Sequence, residues 1–139
     1  MIVLDSSFII AYHNTRDVHH PAAARTMVHL VAGQWGQPLL LEYVFLEVVT
    51  VLRARRDLTL ATSVGTTLLQ AREVGFIACS DLFLDAFHEF RHGTGDLSFV
   101  DAAILTVARR NRPGFIATFD KGFNGQDGVT VIPAGYMRP

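Results

Sequence analysis

Residues 98–120 read SFVDAAILTVARRNRPGFIATFD, and the order of residue types in this stretch decides the fold. Ser98 is a good helix N-cap, and a strongly apolar run carries from there to Arg110. Pro113 and Gly114 stop that helix, and FIATF follows as an apolar run too continuous for a strand with one wet face. A helix feeding a strand buried on both sides is the repeating unit of a parallel sheet covered by helices.

The same unit recurs on either side. Near the start, the β-branched run Ile2–Leu4 is ended by Asp5, Ser6 and Ser7, all N-cap formers, so a strand passes into a helix. Pro21 opens a second helical segment in which Ala24, Val28 and Val31 recur at helical spacing until Gly33 and Gly36. After Pro38 comes a brief strand, LLLE. A helix follows with Val44, Val48, Val51 and Leu52 as its expected buried face, and Arg53, Arg55 and Arg56 complement its C-terminal dipole. Leu60–Glu73 and Asp81–His92 give two more helical patterns, separated by GFIAC as a short buried strand, and VTVIP reads as the last strand. The expected fold is α/β, a three-layer α/β/α sandwich on a parallel sheet. With 139 residues, half of them hydrophobic, and neither an internal repeat nor a low-complexity linker, a single domain over residues 1–139 is expected.

Composition narrows the function without naming it. Twelve basic and thirteen acidic residues give a net charge of −1, so bulk electrostatics make no case for nucleic acid. The single cysteine, Cys79, has no internal disulfide partner and fits a reducing cytoplasm. MIVLDSS lacks the basic start and apolar core of a signal peptide, and no run approaches the ~18 apolar residues of a membrane span. A soluble cytoplasmic protein that does not engage a membrane is the expectation.

The informative feature is the setting of four acids. VLD, FLEV, FVDAAIL and ATFD each place a carboxylate within or against an apolar run, at Asp5, Glu47, Asp101 and Asp120. A buried ionised carboxylate costs several kcal/mol unless compensated, and a group of them repel one another. Asp5 and Asp120 follow strands, and a parallel sheet sends both to one edge; Glu47 and Asp101 lie on helices able to lean over it. Lys121 is the one basic residue beside any of them, and the arginines after Glu47 begin nearly two turns away. A divalent ion supplies the missing charge, and an oxygen-only set suits Mg²⁺ or Mn²⁺ rather than zinc. Ser6, next to Asp5, and Thr118, two residues before Asp120, add hydroxyls that would orient a carboxylate or a water. Carboxylate-held divalent ions activate water and stabilise in-line displacement at a phosphodiester, so phosphodiester hydrolysis is the inferred reaction class.

Each of these residues also has a plainer reading. Asp5 is a reasonable N-cap, Asp101 sits at capping distance from Ser98, and Asp120 opens the turn sequence DKG. Glu47 has an alternative ion-pairing role with an arginine elsewhere. Asp96, in a Gly-rich loop, reads as solvated, and His19 and His20 as a solvated helix start. Phe83, Phe87 and Phe90 have the spacing of core or dimer packing more than of a base-stacking platform. The arginines at 53, 55, 56, 109, 110 and 112 are accounted for by helix dipoles, with phosphate contact as the sharper alternative.

Taken together, VLDSSFIIAY, YVFLEVVTVLRAR, LSFVDAAILTVARR and FIATFDKGF resemble the PIN domain, and within it the short single-domain toxins of VapC type, over nearly the whole chain. The resemblance places the family's acids on Asp5, Glu47, Asp101 and Asp120, and its Thr or Ser on Thr118; Glu47 is preferred to Glu42 for the helical acid on spacing. It implies a homodimer, Mg²⁺- or Mn²⁺-dependent cleavage of RNA, with Asp5, Glu47, Asp101 and Asp120 as metal ligands, and inhibition by a cognate antitoxin. Ser6 is the expected substrate contact. The rival readings are a Mg²⁺-dependent phosphatase, which wants a second aspartate where Ser7 stands, a DNA nuclease, and a catalytically inactive PIN fold that binds RNA or a protein partner.

Overall fold

A computed structural model of the chain describes residues 1–93 and 95–133. Five strands form one all-parallel sheet: β1 (Ile2–Leu4), β2 (Pro38–Leu41), β3 (Gly75–Ile77), β4 (Gly114–Ala117) and β5 (Val129–Ile132), in the order β3-β2-β1-β4-β5. Helices α1 (Ser6–His13) and α2 (His20–Val31) link β1 to β2, α3 (Glu42–Arg55) and α4 (Leu58–Gln70) link β2 to β3, and α5 (Phe83–His92) and α6 (Phe99–Arg110) link β3 to β4. Right-handed crossovers that step from β1 out to β3 and then return across the sheet from β3 to β4 run in opposite directions and send the two helix groups to opposite faces, giving the α/β sandwich expected from the sequence.

The central strands carry no polar side chain because both faces are covered. Ile2, Val3, Leu40, Leu41 and Ile116 are buried, and they meet Phe8 from α1, Val44, Val48 and Leu52 from α3, and Ile104 and Leu105 from α6. At Gly114, where β4 starts, an added Cβ would stand 2.7 Å from the Ala108 carbonyl oxygen and 2.8 Å from that of Gly128, so the helix-to-strand turn closes only around glycine.

The sheet order sets the location of the site. Chain connections leave β1 toward β2 on one side, and later elements fill β4 and β5 on the other, so the switch point lies between β1 and β4. Loops leaving neighbouring strands diverge there and open a crevice at the strands' carboxyl ends. The β1–β4 register pairs Leu4 with Ala117, and the Asp5 amide extends the ladder with a 3.0 Å bond to the Ala117 carbonyl. Asp5 and Thr118 therefore emerge side by side.

Three details depart from the sequence reading. In α2, Ala22, Ala23, Thr26 and Leu30 are buried, whereas Val28 and Val31 are 69% and 76% exposed and Ala24 is half-buried. Two faces of this helix are apolar enough to satisfy the periodicity, and packing against α1 selected the one with small residues. GFIAC is an edge rather than a buried strand: β3 lies at the end of the sheet with Phe76 47% exposed. The fourth helix starts earlier than expected, at Leu58, because the Asp57 carboxylate caps it by accepting the Leu60 amide at 2.7 Å.

Candidate active site

Asp5 occupies the N-cap position of α1, yet its side chain makes no capping bond. Instead its Oδ2 accepts hydroxyl hydrogen bonds from Ser7 and Thr118, each at 2.6 Å. The Ser7 hydroxyl oxygen also accepts the Phe119 amide, and that of Thr118 accepts the Asp120 amide, both at 2.9 Å, so the loop after β4 is pinned to the start of α1. Asp5 is 4% exposed, and its carboxylate is held in one orientation by the first turn of α1 and the segment just after β4. The plain N-cap reading does not account for it.

The other three acids line the same crevice. Asp5, Glu47, Asp101 and Asp120 all face one cleft of about 300 Å³, along with Ser6, Ser7, Ile10, Asp17, His19, Val51, Arg55 and Phe119. Glu47 arrives from α3, and its Oε1 accepts the Ser6 hydroxyl at 2.6 Å. Asp101 arrives from the first turn of α6, where it forms a reciprocal capping box with Ser98. Asp120 caps the short 3₁₀ turn Lys121–Phe123 by accepting the Gly122 amide at 2.9 Å. The structural readings of Asp101 and Asp120 hold alongside their place in the cleft, because a cap engages only part of a carboxylate.

The acids influence one another's ionisation. Burial pushes the Asp5 carboxyl above the usual aspartate range; the Ser7 and Thr118 hydroxyls pull it back, and the Asp120 and Glu47 charges push it further up. Asp101 is raised chiefly by burial as well, with the charges of Asp5 and Asp120 adding to it and the Ser98 bonds opposing. The premise that all four are desolvated needs correction: Glu47 and Asp120 are exposed. An apolar sequence neighbourhood marks a residue beside the core, and on a helix or a strand-end loop that residue can still sit on the rim of an open cleft.

Several cleft residues escaped the sequence reading. Ser7, not Ser6, bridges Asp5 and Thr118; its signal was an Asp-x-Ser spacing at a strand-to-helix turn. His19 and His20 read from the sequence as a solvated helix start; they do open α2, as its N-cap and first residue, but both are half-buried, and His20 Nδ1 lies 2.8 Å from the Ala11 carbonyl oxygen. The half-buried His19 ring stacks on Phe119 with centroids 4.6 Å apart and planes 5° apart. Arg55 faces the cleft because it shares a stripe of α3 with Glu47 and Val51 at spacings of four, so a protein cation lines the same cleft as the acids. Glu42 is elsewhere, accepting the Cys79 amide at 2.9 Å, and Asp96 is exposed outside the cleft. Arg109 and Arg110 pair with Glu89 and Asp85 and so tie α6 to α5, while Arg56 donates to Asn14.

The model of one protein family, the PIN domain, matches residues 2–128, from β1 to just before β5. The chain belongs to the PIN domain family. This PIN chain is 26% identical over 137 residues to a VapC ribonuclease of Archaeoglobus fulgidus, a match covering 98% of the chain and 71% of that protein. It also superposes on the crystal structure of Mycobacterium tuberculosis VapC20, described as a sarcin–ricin loop cleaving toxin. The TM-score is 0.74 at 27% identity, over 86% of this chain and 90% of that one. Among the described residues, no helix of this PIN chain is long and apolar enough to cross a membrane.

The four acids of the cleft offer oxygen donors and an excess of negative charge, of the kind that hard divalent cations take. Among the described residues, no three acidic, histidine or cysteine side chains already form a group set to hold a metal ion.

Proposed function

We propose that the chain is a divalent-metal-dependent endoribonuclease, the toxin of a VapBC-type pair. A single observation carries this reading: in a PIN domain, four carboxylates from four separate elements share one cleft at the switch point, and the most buried of them is aimed by two hydroxyls rather than used as a cap. Mutual repulsion among those acids has no structural benefit of its own. A cation offsets it, and binding to the native chain alone would stabilise it.

In this reading Asp5, Glu47, Asp101 and Asp120 would hold Mg²⁺ or Mn²⁺, with the Asp5 carboxylate already fixed by its two hydroxyl bonds. Such an ion supplies Lewis-acid activation of water and offsets the charge that builds on the phosphate during in-line displacement. The chain's own residues do the rest. Thr118 and Ser7 keep the Asp5 carboxylate oriented; Ser6, buried and bonded to Glu47, positions that acid rather than touching RNA. Arg55, which lines the cleft, is the cationic side chain there that would anchor a phosphate of the bound strand.

The relatives' names carry the reading to RNA and to a toxin, and the family resemblance adds a cognate antitoxin protein as its partner. A homodimer fits as well, since Phe83, Leu84, Phe87 and Phe90 on α5 are 45–78% exposed and offer an apolar face for a second copy. The test is incubation of the purified chain with structured RNAs, including a sarcin–ricin-loop hairpin, and with single-stranded DNA, with Mn²⁺ or with chelator. RNA cleaved only with metal is the expected result. Cleavage that persists in chelator, or DNA cut in preference to RNA, overturns it.

A further inference from the structure

Residues 88–92 read HEFRH and close helix α5, so His88 and His92 stand one turn apart on one flank of it, both exposed. Their ring centroids are 4.4 Å apart, with planes tilted by 44°. His92 Nδ1 lies 2.9 Å from the His88 carbonyl oxygen. A carbonyl oxygen can only accept, so Nδ1 carries the proton and the lone pair of the neutral ring is on Nε2. The helix beneath the pair is held in place: Ala86 is buried, and Glu89 and Asp85 pair with Arg109 and Arg110 of α6. Neither histidine lines the carboxylate cleft.

We propose that His88 and His92 chelate a divalent transition ion, Cu²⁺, Ni²⁺ or Zn²⁺, at a site separate from the cleft. Imidazole nitrogen suits these ions, whereas carboxylate oxygen suits Mg²⁺ and Mn²⁺, so the two sites sort metals by donor chemistry. A metal-ligating histidine commonly donates its other N–H to a backbone carbonyl, which fixes tautomer and ring; His92 already does so. Rings this close can reach one ion through bonds of ~2.0–2.1 Å by side-chain rotation alone. The ion would sit at the last turn of α5, where the helix dipole favours positive charge. His-Glu-x-x-His on a helix is also the spacing of zinc hydrolases, in which the glutamate is the general base. Here Glu89 is half-buried and turned to Arg109, so the site binds metal without that chemistry. Among the described residues no third histidine, cysteine or acid joins the pair, so water completes the coordination.

The experiment titrates Cu²⁺ into the full chain, prepared without a histidine tag, and follows the electron paramagnetic resonance spectrum, in which bound imidazole nitrogens split the copper signal. Wild type, His88→Gln and His92→Gln are compared, with thermal unfolding of each to confirm folding. The wild type should bind one equivalent with coupling to two nitrogens, and excess Zn²⁺ should displace it where Mg²⁺ does not. Each single variant should lose that pattern and bind at least about tenfold more weakly, the scale on which even the supporting partners of a metal ligand act. A wild type without two-nitrogen coupling, variants that bind as the wild type does, or a loss confined to one variant overturns the chelate. Cleavage of RNA in Mn²⁺ should be equal in all three proteins; a variant impaired in cleavage overturns the separation of this site from the cleft.

Discussion

Two concavities flank helix α1, and they differ in almost every respect. On one side, Ser6, Ser7 and Ile10 face the cleft of about 300 Å³ with its four carboxylates. On the other, Ile9, Tyr12 and His13 face a cavity of about 610 Å³, walled by Met27, Leu30, Leu68 and other largely apolar groups. The larger hollow contains none of the clustered acids. Size follows from how α1, α2 and α4 splay apart, whereas chemistry follows from where β1 and β4 end, so the smaller cleft at the switch point is the place to look for catalysis.

The strongest way to break this comparison is to neutralise the cleft without touching the cavity. Asp5→Asn should lower RNA cleavage by about 10³-fold, on the scale of losing a preorganised charged group from an active site. The same change should leave the metal-free fold as stable at pH 7 or more so. Burial raises the Asp5 pKa in the folded chain, so its charge costs stability at neutral pH, and that cost fades as pH falls through the folded value. Chemical denaturation at pH 7 and at pH 4.5 checks the sign: the advantage of Asp5→Asn should shrink at the lower pH.

The converse change acts on the cavity alone. Leu30 is 6% exposed in its wall, and Leu30→Ala should cost about 2–3 kcal/mol of unfolding free energy with kcat per folded molecule unchanged. A large loss of kcat at temperatures where the variant is fully folded would mean that the two concavities are coupled through α1.

The smallest effect concerns His13, which lines the cavity and whose pKa burial holds below the ordinary histidine value of 6.5. Above that pH both folded and unfolded chains carry a neutral imidazole. As pH falls below it, the unfolded chain takes up the proton first, and stability is lost. Denaturation midpoints of wild type and His13→Gln should therefore diverge between pH 7 and pH 5.5, with the wild type falling more steeply.

The sequence made the sheet legible because its signals were redundant. Ile2–Leu4, Pro38–Leu41 and Gly114–Ala117 are continuous apolar runs bounded by caps and breakers, and no other element type fits them. Where redundancy failed, so did the reading. In α2 two stripes of apolar residues competed, and only tertiary packing chose between Leu30 and Val28. The four acids were visible as charges beside apolar runs, but their desolvation was not, since exposure depends on which neighbours surround the rim. His19 showed only as a histidine at a helix start and Arg55 only as one of six arginines at helix ends; each enters the cleft by geometry, one through a ring stack on Phe119 and the other through helical repetition from Glu47.

The central claim is that Asp5, Glu47, Asp101 and Asp120 act together on one divalent ion. Titration of the purified chain with Mn²⁺, followed by electron paramagnetic resonance of the free ion, measures that directly. Saturable binding by the wild type that is weakened in Asp5→Asn, Asp101→Asn, Asp120→Asn and Glu47→Gln alike is the predicted result; a wild type that leaves Mn²⁺ free, or variants that bind it as the wild type does, would contradict the account.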